Sequence, residues 1–346
     1  MAENTGAKRP LISGMVAVYF PVSGVEVFPL VPPLVGFAVA AATASAGMSG
    51  AFLLLPFQVS VLGFVSPAVS PTNLIYNIIS TPGGLYRYIK EGRMSWALAL
   101  VLSAGTLPGV FLGALIRIYF LAQPAAFKLF AGLVLLWLGV RLLAGAAGWR
   151  GAFFANGESA LALEKKFAGL AGGQKGRKGP FGAAGLPGEA RVKTRSFTLK
   201  RVEYEFWGET FSFSTPAVFL LSLAVGIIGG IYGIGGSAII APFCVSLLGL
   251  PVYTIAGATL AGNLVTSAAG VLFFSLLAVA GGQGPASVAA PDWALGLLFG
   301  AGGLLGTYLG AALQKYLPEK FIRTFIGVLT ALLAVRYIVE YFSSWK

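Results

Sequence analysis

The sequence predicts an all-α polytopic membrane protein made of two inverted repeats, each a glycine-broken re-entrant hairpin followed by about three transmembrane helices. Three observations predict it. The first is composition: 57% of the 346 residues are apolar, only 10% are charged, and the mean hydropathy is +0.83. A soluble domain carries roughly 25% charged residues, so too few are present to coat a water-facing surface. This argues against soluble enzymes, nucleic-acid binders and disordered chains. The second is the recurrence of apolar runs of about 20 residues, the length that crosses a hydrocarbon core of ~30 Å.

The third observation is an internal repeat. Residues 47–84 align without a gap on 233–270. Gly47, Gly50, Pro56, Phe57, Asn77 and Gly84 recur as Gly233, Gly236, Pro242, Phe243, Asn263 and Gly270. Residues 96–116 align on 293–313, opening on Trp96 and Trp293. Leucine-rich helices resemble one another by composition alone. Gly, Pro, Asn and Trp at fixed spacing record a duplication.

Residues 1–33 form an N-terminal segment with an apolar run at 11–31. Pro21, Pro29, Pro32, Pro33 and Glu26 make it a poor span, so it reads either as an interfacial segment or as a first crossing. It lacks a cleavage pattern and is not read as a signal peptide. Membrane repeat 1 occupies 34–146, with apolar segments near 34–63, 67–86, 95–119 and 127–146. Membrane repeat 2 occupies 216–346, with segments near 217–249, 252–280, 292–314 and 321–343. The first segment of each repeat, as one helix of about 30 residues, would extend ~45 Å against that ~30 Å core. Its middle holds Gly47-Met48-Ser49-Gly50 in one repeat and Gly233-Ile234-Gly235-Gly236-Ser237 in the other. Two half-helices folded at a glycine break fit that length. Pro71 and Pro82 are expected to kink or break the second segment of repeat 1.

Charge gives the orientation. The loop after that second segment carries Arg87, Lys90 and Arg93 against Glu91, whereas its counterpart around 281–292 has no Lys or Arg and ends in Asp292. Positive loops stay inside, so equivalent loops of opposite bias lie on opposite sides of the membrane. The loop from Arg117 to Lys128, placed outside, carries two positives and fits less well. The basic, Gly-rich insert at 147–215 falls inside, which makes this a multi-pass protein of the cell membrane with a cytoplasmic insert. Ten of the 24 Lys and Arg residues lie between Lys165 and Arg201, so the net charge of +12 reflects topology and not a nucleic-acid partner. Within the insert, Val202, Tyr204 and Phe206 alternate with Arg201, Glu203 and Glu205, the pattern of an amphipathic strand. The insert reads as a solvated linker with a small hairpin, or as a regulatory piece.

The membrane core is poor in ionisable groups. The 12 carboxylates lie in tails, loops or the insert, apart from Glu26 and Glu340, and there is no histidine. Cys244 is the one cysteine, so no intramolecular disulfide or thiolate cluster forms. No cofactor, metal or enzymatic nucleophile is expected, and the core is not built to hold cations tightly. Half-helices that start inside a membrane present unpaired N–H groups and a positive dipole end, which suit an anion. Ser49, Gly50, Gly235, Gly236 and Ser237 sit at those starts. The same glycines read equally as helix packing. Asn77 and Asn263 lie mid-segment, where an amide needs a partner: a substrate oxygen or an interhelical bond. Asn73, Asn77 and Ser80 share one helix face, and Thr259, Asn263 and Thr266 repeat that spacing. The stripes Gly105, Gly109, Gly113 and Gly302, Gly306, Gly310 pack helices within a protomer or between two, which leaves a homodimer open.

Taken together, these residues resemble the TauE/SafE sulfite exporter family of membrane permeases. The resemblance lies in two copies of a Gly-rich break and an apolar run ending in Pro, Gly47 to Pro56 and Gly233 to Pro242, each followed by a Ser/Thr/Asn-bearing helix. The second copy is the closer; the first has Met48-Ser49 where glycine is common. The resemblance implies a permease or exporter of small sulfur-containing anions, such as sulfite or two-carbon sulfonates like sulfoacetate. Alternating access around a midplane site in the lipid bilayer, coupled to H+ or Na+ or to neither, is the expected mechanism. A passive anion channel and a non-transport scaffold acting through the insert are the alternatives.

Overall fold

The computed structural model describes residues 17–45, 49–90, 92–147, 191–250, 252–282, 284–313 and 319–343. The expectations for Gly47, Met48 and most of the insert lie outside them. Strands β1 (Val18–Phe20) and β2 (Val25–Val27) pair antiparallel and bury Phe20 and Val25. The N-terminal run is therefore a hairpin, not a helix, over these residues, with Pro21 at its turn.

Repeat 1 continues as α1 (Val31–Ser45), α2 (Ala51–Ser60), α3 (Val69–Ser80), α4 (Pro82–Lys90), α5 (Trp96–Tyr119) and α6 (Pro124–Ala146). Repeat 2 runs α7 (Thr215–Tyr232), α8 (Ser237–Leu248), α9 (Val252–Ala280), a 3-10 turn at Pro285–Ala289, α10 (Trp293–Leu313) and α11 (Glu319–Ser343). Among the described residues, six stretches are long and apolar enough to cross a membrane: Trp96–Tyr119, Pro124–Gly145, Thr215–Tyr232, Thr254–Ala280, Pro285–Gly310 and Thr324–Ser343. The protein is a mostly helical, multi-pass membrane protein.

Local chemistry sets the helix ends. Pro124 and Pro216 open α6 and α7, where a missing N–H costs no intrahelical bond. Pro71 likewise sits in the first turn of α3, so it leaves that helix unbroken, contrary to expectation. Pro82 does interrupt the segment and starts α4. The second copy has Ala268 at the matching position, and α9 runs on for 29 residues.

Each repeat packs its first helix on the other repeat. Gly302, Gly306 and Gly310 of α10 face Pro33, Phe37 and Ala41 of α1, while Gly105, Gly109 and Gly113 of α5 face Phe219, Leu223 and Ile227 of α7. A Cβ at any of these six glycines would collide with backbone carbonyls, so both small-residue stripes are consumed by packing inside one protomer. Elements α6 and α11 close the bundle and run antiparallel: Gly132 meets Tyr337 and Ile338, and Gly139 meets Ala331. The pair α3–α4 also runs against α9, since Gly257 lies on Tyr88 and Gly270 on Leu74. Large apolar side chains such as Leu100, Leu133, Leu305, Leu332 and Val335 remain exposed on the outside of the bundle.

The described part of the insert is an antiparallel sheet of β3 (Val192–Phe197), β4 (Arg201–Phe206) and β5 (Glu209–Ser214), in that order. Trp207 and Gly208, both at positive φ, make the two-residue turn between β4 and β5. Val202, Tyr204 and Phe206 are buried on one face, as their alternation predicts. Tyr204 bonds Thr254 of α9 at 2.9 Å, and the Val192 N–H donates to Gly92 O at 3.0 Å, which seats the sheet on the bundle. Burial raises the Tyr204 phenol pKa, and the bond to Thr254 offsets part of that rise.

Candidate functional site

The two helix breaks stand together at the centre, stitched by side chains from both repeats. Asn73 of α3 donates to Ala51 O and to Gly233 O, 2.9 Å each, and accepts from Gln58 Nε2 at 3.2 Å. Ser70 Oγ donates to Ile231 O at 2.8 Å, and Tyr232 Oη to Phe52 O at 2.9 Å. Each break is thus held by groups from the other copy. Gln58, Ser70 and Tyr232 align on Cys244, Ala256 and Ala46, so the repeat itself did not flag them.

The second break is made by three left-handed glycines. Gly233 caps α7 at φ +84, and Gly235 and Gly236 follow at +67 and +87. A non-glycine residue at such angles costs roughly 1–2 kcal/mol. Gly236 is the N-cap of α8 and has no side chain to cap it, while its carbonyl accepts the N–H groups of Ile239 and Ile240 at 3.0 and 2.9 Å. Ser237 opens α8, but its side chain lies outside the described residues. In the amide orientation that satisfies both groups, Asn263 Nδ2 donates to Ile234 O and Gly235 O, 3.0 Å each. The Ser267 hydroxyl is buried beside Gly235 and has no hydrogen-bond partner among the described residues.

A small cavity opens against this break. Its walls are Leu102, Thr106, Gly235, Gly236, Ile240, Thr259, Gly262 and Asn263, and none of these side chains is charged. It has about 10 Å³ of room for the centre of a water-sized occupant, close to the space one water needs. Four of the expected site residues line it: Gly235, Gly236, Thr259 and Asn263. Thr259 Oγ1 donates back to Ala256 O at 3.1 Å, and Thr266 lies just beyond, 2.7 Å from Thr106 Oγ1. Thr106 and Gly262 were not singled out from sequence. Their signal was the alignment itself: Thr106 is polar where its counterpart is Gly303, and Gly262 is small where its counterpart is Tyr76.

The first break is different. Ser49 Oγ donates to Asn77 Oδ1 at 2.6 Å, and Asn77 Nδ2, fully buried, has no partner among the described residues. Gly50 is the N-cap of α2 at an ordinary φ of −69, pressed against Tyr76 Oη, with Thr43 beside it. Ser80 is buried next to Gly303 and the Tyr76 ring. Ser49, Gly50, Asn73, Asn77 and Ser80 therefore gather at the first break and do not line the cavity.

The sulfite exporter TauE/SafE family model matches residues 33–337, from α1 into the last helix. No curated protein and no solved structure matches the chain. Because that match spans both repeats and both breaks, the chain belongs to the sulfite exporter TauE/SafE family of membrane transporters.

Proposed function

We propose that the protein is a secondary transporter of small sulfur-containing anions, such as sulfite or a two-carbon sulfonate like sulfoacetate, working by alternating access around a midplane site. The observation that carries this is the uncharged cavity in front of α8. Helix N-terminal N–H groups carry partial positive charge, and backbone, hydroxyl and amide donors meet oxyanion oxygens without a fixed counter-charge. The unpartnered Ser267 hydroxyl is one such donor. A cavity that holds a single water is a closed state of this site. A sulfite enters once the walls part, and alternating access is that parting on one side at a time.

Inverted repeats, re-entrant hairpins and an inner-side insert belong to the same proposal. The opposed directions of α6 and α11, and of α3–α4 and α9, support inversion. The two positives of the loop that fitted poorly also count for less as topology signals. Arg117 is buried over the Phe127 ring at 3.8 Å and donates to the carbonyls of Leu121, Val65 and Ser66, and Lys128 pairs with Glu340 at 2.7 Å.

Thermal unfolding of the purified protein against sulfite, sulfate, sulfoacetate, taurine, thiosulfate, lactate and chloride tests the proposal. A ligand at 100 times its Kd stabilises the folded state by about 2.7 kcal/mol. Selective stabilisation by a sulfur oxyanion or sulfonate is the expected result. An equal response to every anion, or none, sinks it.

A further inference from the structure

We infer that the two repeats do not carry equivalent half-sites: Tyr76 plugs the space beside the first break, and Gly262 with Thr106 sets the size of the one that stays open. This rests on the anion-transport proposal for its function, though not for its geometry.

The alignment places the two copies in register. Position 76 matches 262, position 106 matches 303, and position 102 matches 299. In the second copy the helix facing the break has Gly262, the opposing helix has Thr106, and the cavity lies between them. In the first copy the sizes are exchanged. The helix facing the break has Tyr76 and the opposing helix has Gly303. The Tyr76 ring is packed so closely on Gly303 that a Cβ there would collide with it, and its hydroxyl reaches Gly50 in the same way. Tyr76 is 1% exposed. Its side chain thus occupies the volume that, one repeat on, is empty.

Polarity points the same way. Tyr76 Oη lies near Ser80 without a hydrogen bond of good geometry, and the hydroxyl is buried with no partner among the described residues. Its position is therefore set by the fit of the ring and not by a bond at its tip. Gly262, by contrast, has room for a side chain to start: a Cβ there would rest at ordinary contact distance from Leu102 Cβ, 3.6 Å, and Ser103 Oγ, 3.9 Å, and would collide with neither. It is also mid-helix, where alanine is favoured over glycine. Glycine at 262 therefore serves space and not packing or backbone geometry. The anion is held on one side of the pseudo-symmetric centre, and the residue at 262 determines how large it can be.

The experiment compares five proteins by thermal unfolding and by flux in proteoliposomes, using sulfite and sulfoacetate as probes: wild type, Gly262→Ala, Tyr76→Phe, Tyr76→Ala and the double variant T106G/G262Y, which copies the first repeat into the second. Gly262→Ala is expected to unfold at a higher temperature than wild type, yet to lose at least ten-fold in apparent anion affinity, with sulfoacetate hit harder than sulfite. The double variant is expected to lose anion-dependent stabilisation entirely. Tyr76→Phe keeps the plug and leaves anion affinity unchanged, whereas Tyr76→Ala lowers the unfolding temperature. Wild-type anion affinity in folded Gly262→Ala overturns the proposal, even if the double variant fails to fold. A wild type with no anion response defeats the transport proposal instead. The unfolding temperatures of Gly262→Ala and Tyr76→Ala then still decide which copy holds the void, and a Tyr76→Ala protein as stable as wild type overturns the plug.

Discussion

The two glycine breaks occupy matching positions of the repeat, and they are built by different means. At the second, left-handed glycines bend the backbone, and Asn263 satisfies the carbonyls that the bend exposes. At the first, Gly50 keeps an ordinary backbone angle, Asn77 bonds a side chain at Ser49, and Tyr76 fills the remaining space. The repeat thus preserves where a helix breaks more faithfully than how the break is built. The copy that kept its glycines kept the cavity.

Substitutions in matched pairs sharpen or break that contrast. The largest effect is expected at Gly235. Alanine there would adopt a left-handed angle and run into the Asn263 amide, with overpacking of about 1–3 kcal/mol added to the backbone strain. Gly235→Ala should therefore lose most of its folded yield in detergent, read by size-exclusion chromatography. Ser49→Ala, at the matching position, removes the bond to Asn77 and a longer one from the Ala51 N–H, and a cost of about 1 kcal/mol is expected. Comparable losses from the two would mean that the breaks are built alike.

Next comes the asparagine pair. Asn263→Ala strips the donor from two break carbonyls, and about 2–3 kcal/mol of destabilisation is expected in thermal unfolding. Asn77→Ala gives up a single bond to Ser49, for about 1 kcal/mol. A smaller change follows Thr106→Val, which keeps the shape but loses the contact with Thr266: about 1 kcal/mol, with weaker anion stabilisation because the cavity wall becomes apolar. The smallest is Tyr204→Phe in the sheet. Loss of its bond to Thr254 should cost no more than about 1 kcal/mol and leave anion affinity unchanged, since Thr254 lies outside the cavity.

Much of the architecture could be read in the residues because it depends on local rules. The alternation of Val202, Tyr204 and Phe206 marks a strand in any context, and the repeated glycine clusters mark where a long apolar segment stops being one helix. The stripes at Gly105 and Gly302 were recognisable as close contacts, but sequence could not say with which helix; the partner in each case belongs to the other repeat. Pro71 was misread because a proline breaks a helix only when it is interior, and the start of α3 falls just before it. The site was half visible. Asn263 stood out as an amide in an apolar helix, while Thr106 and Gly262 matter through the space between two helices, which no single segment encodes. Asn73 was read from its place on one face with Asn77 and Ser80, and it ties α3 to both breaks without lining the cavity.

The most direct test of the contrast is sulfite and sulfoacetate flux into proteoliposomes carrying equal amounts of folded wild type, Asn263→Ala and Asn77→Ala. Saturable flux in the wild type, lost for the most part in Asn263→Ala and largely kept in Asn77→Ala, is the predicted result. Equal losses in the two variants, or a greater loss in Asn77→Ala, would contradict a working site at the second break.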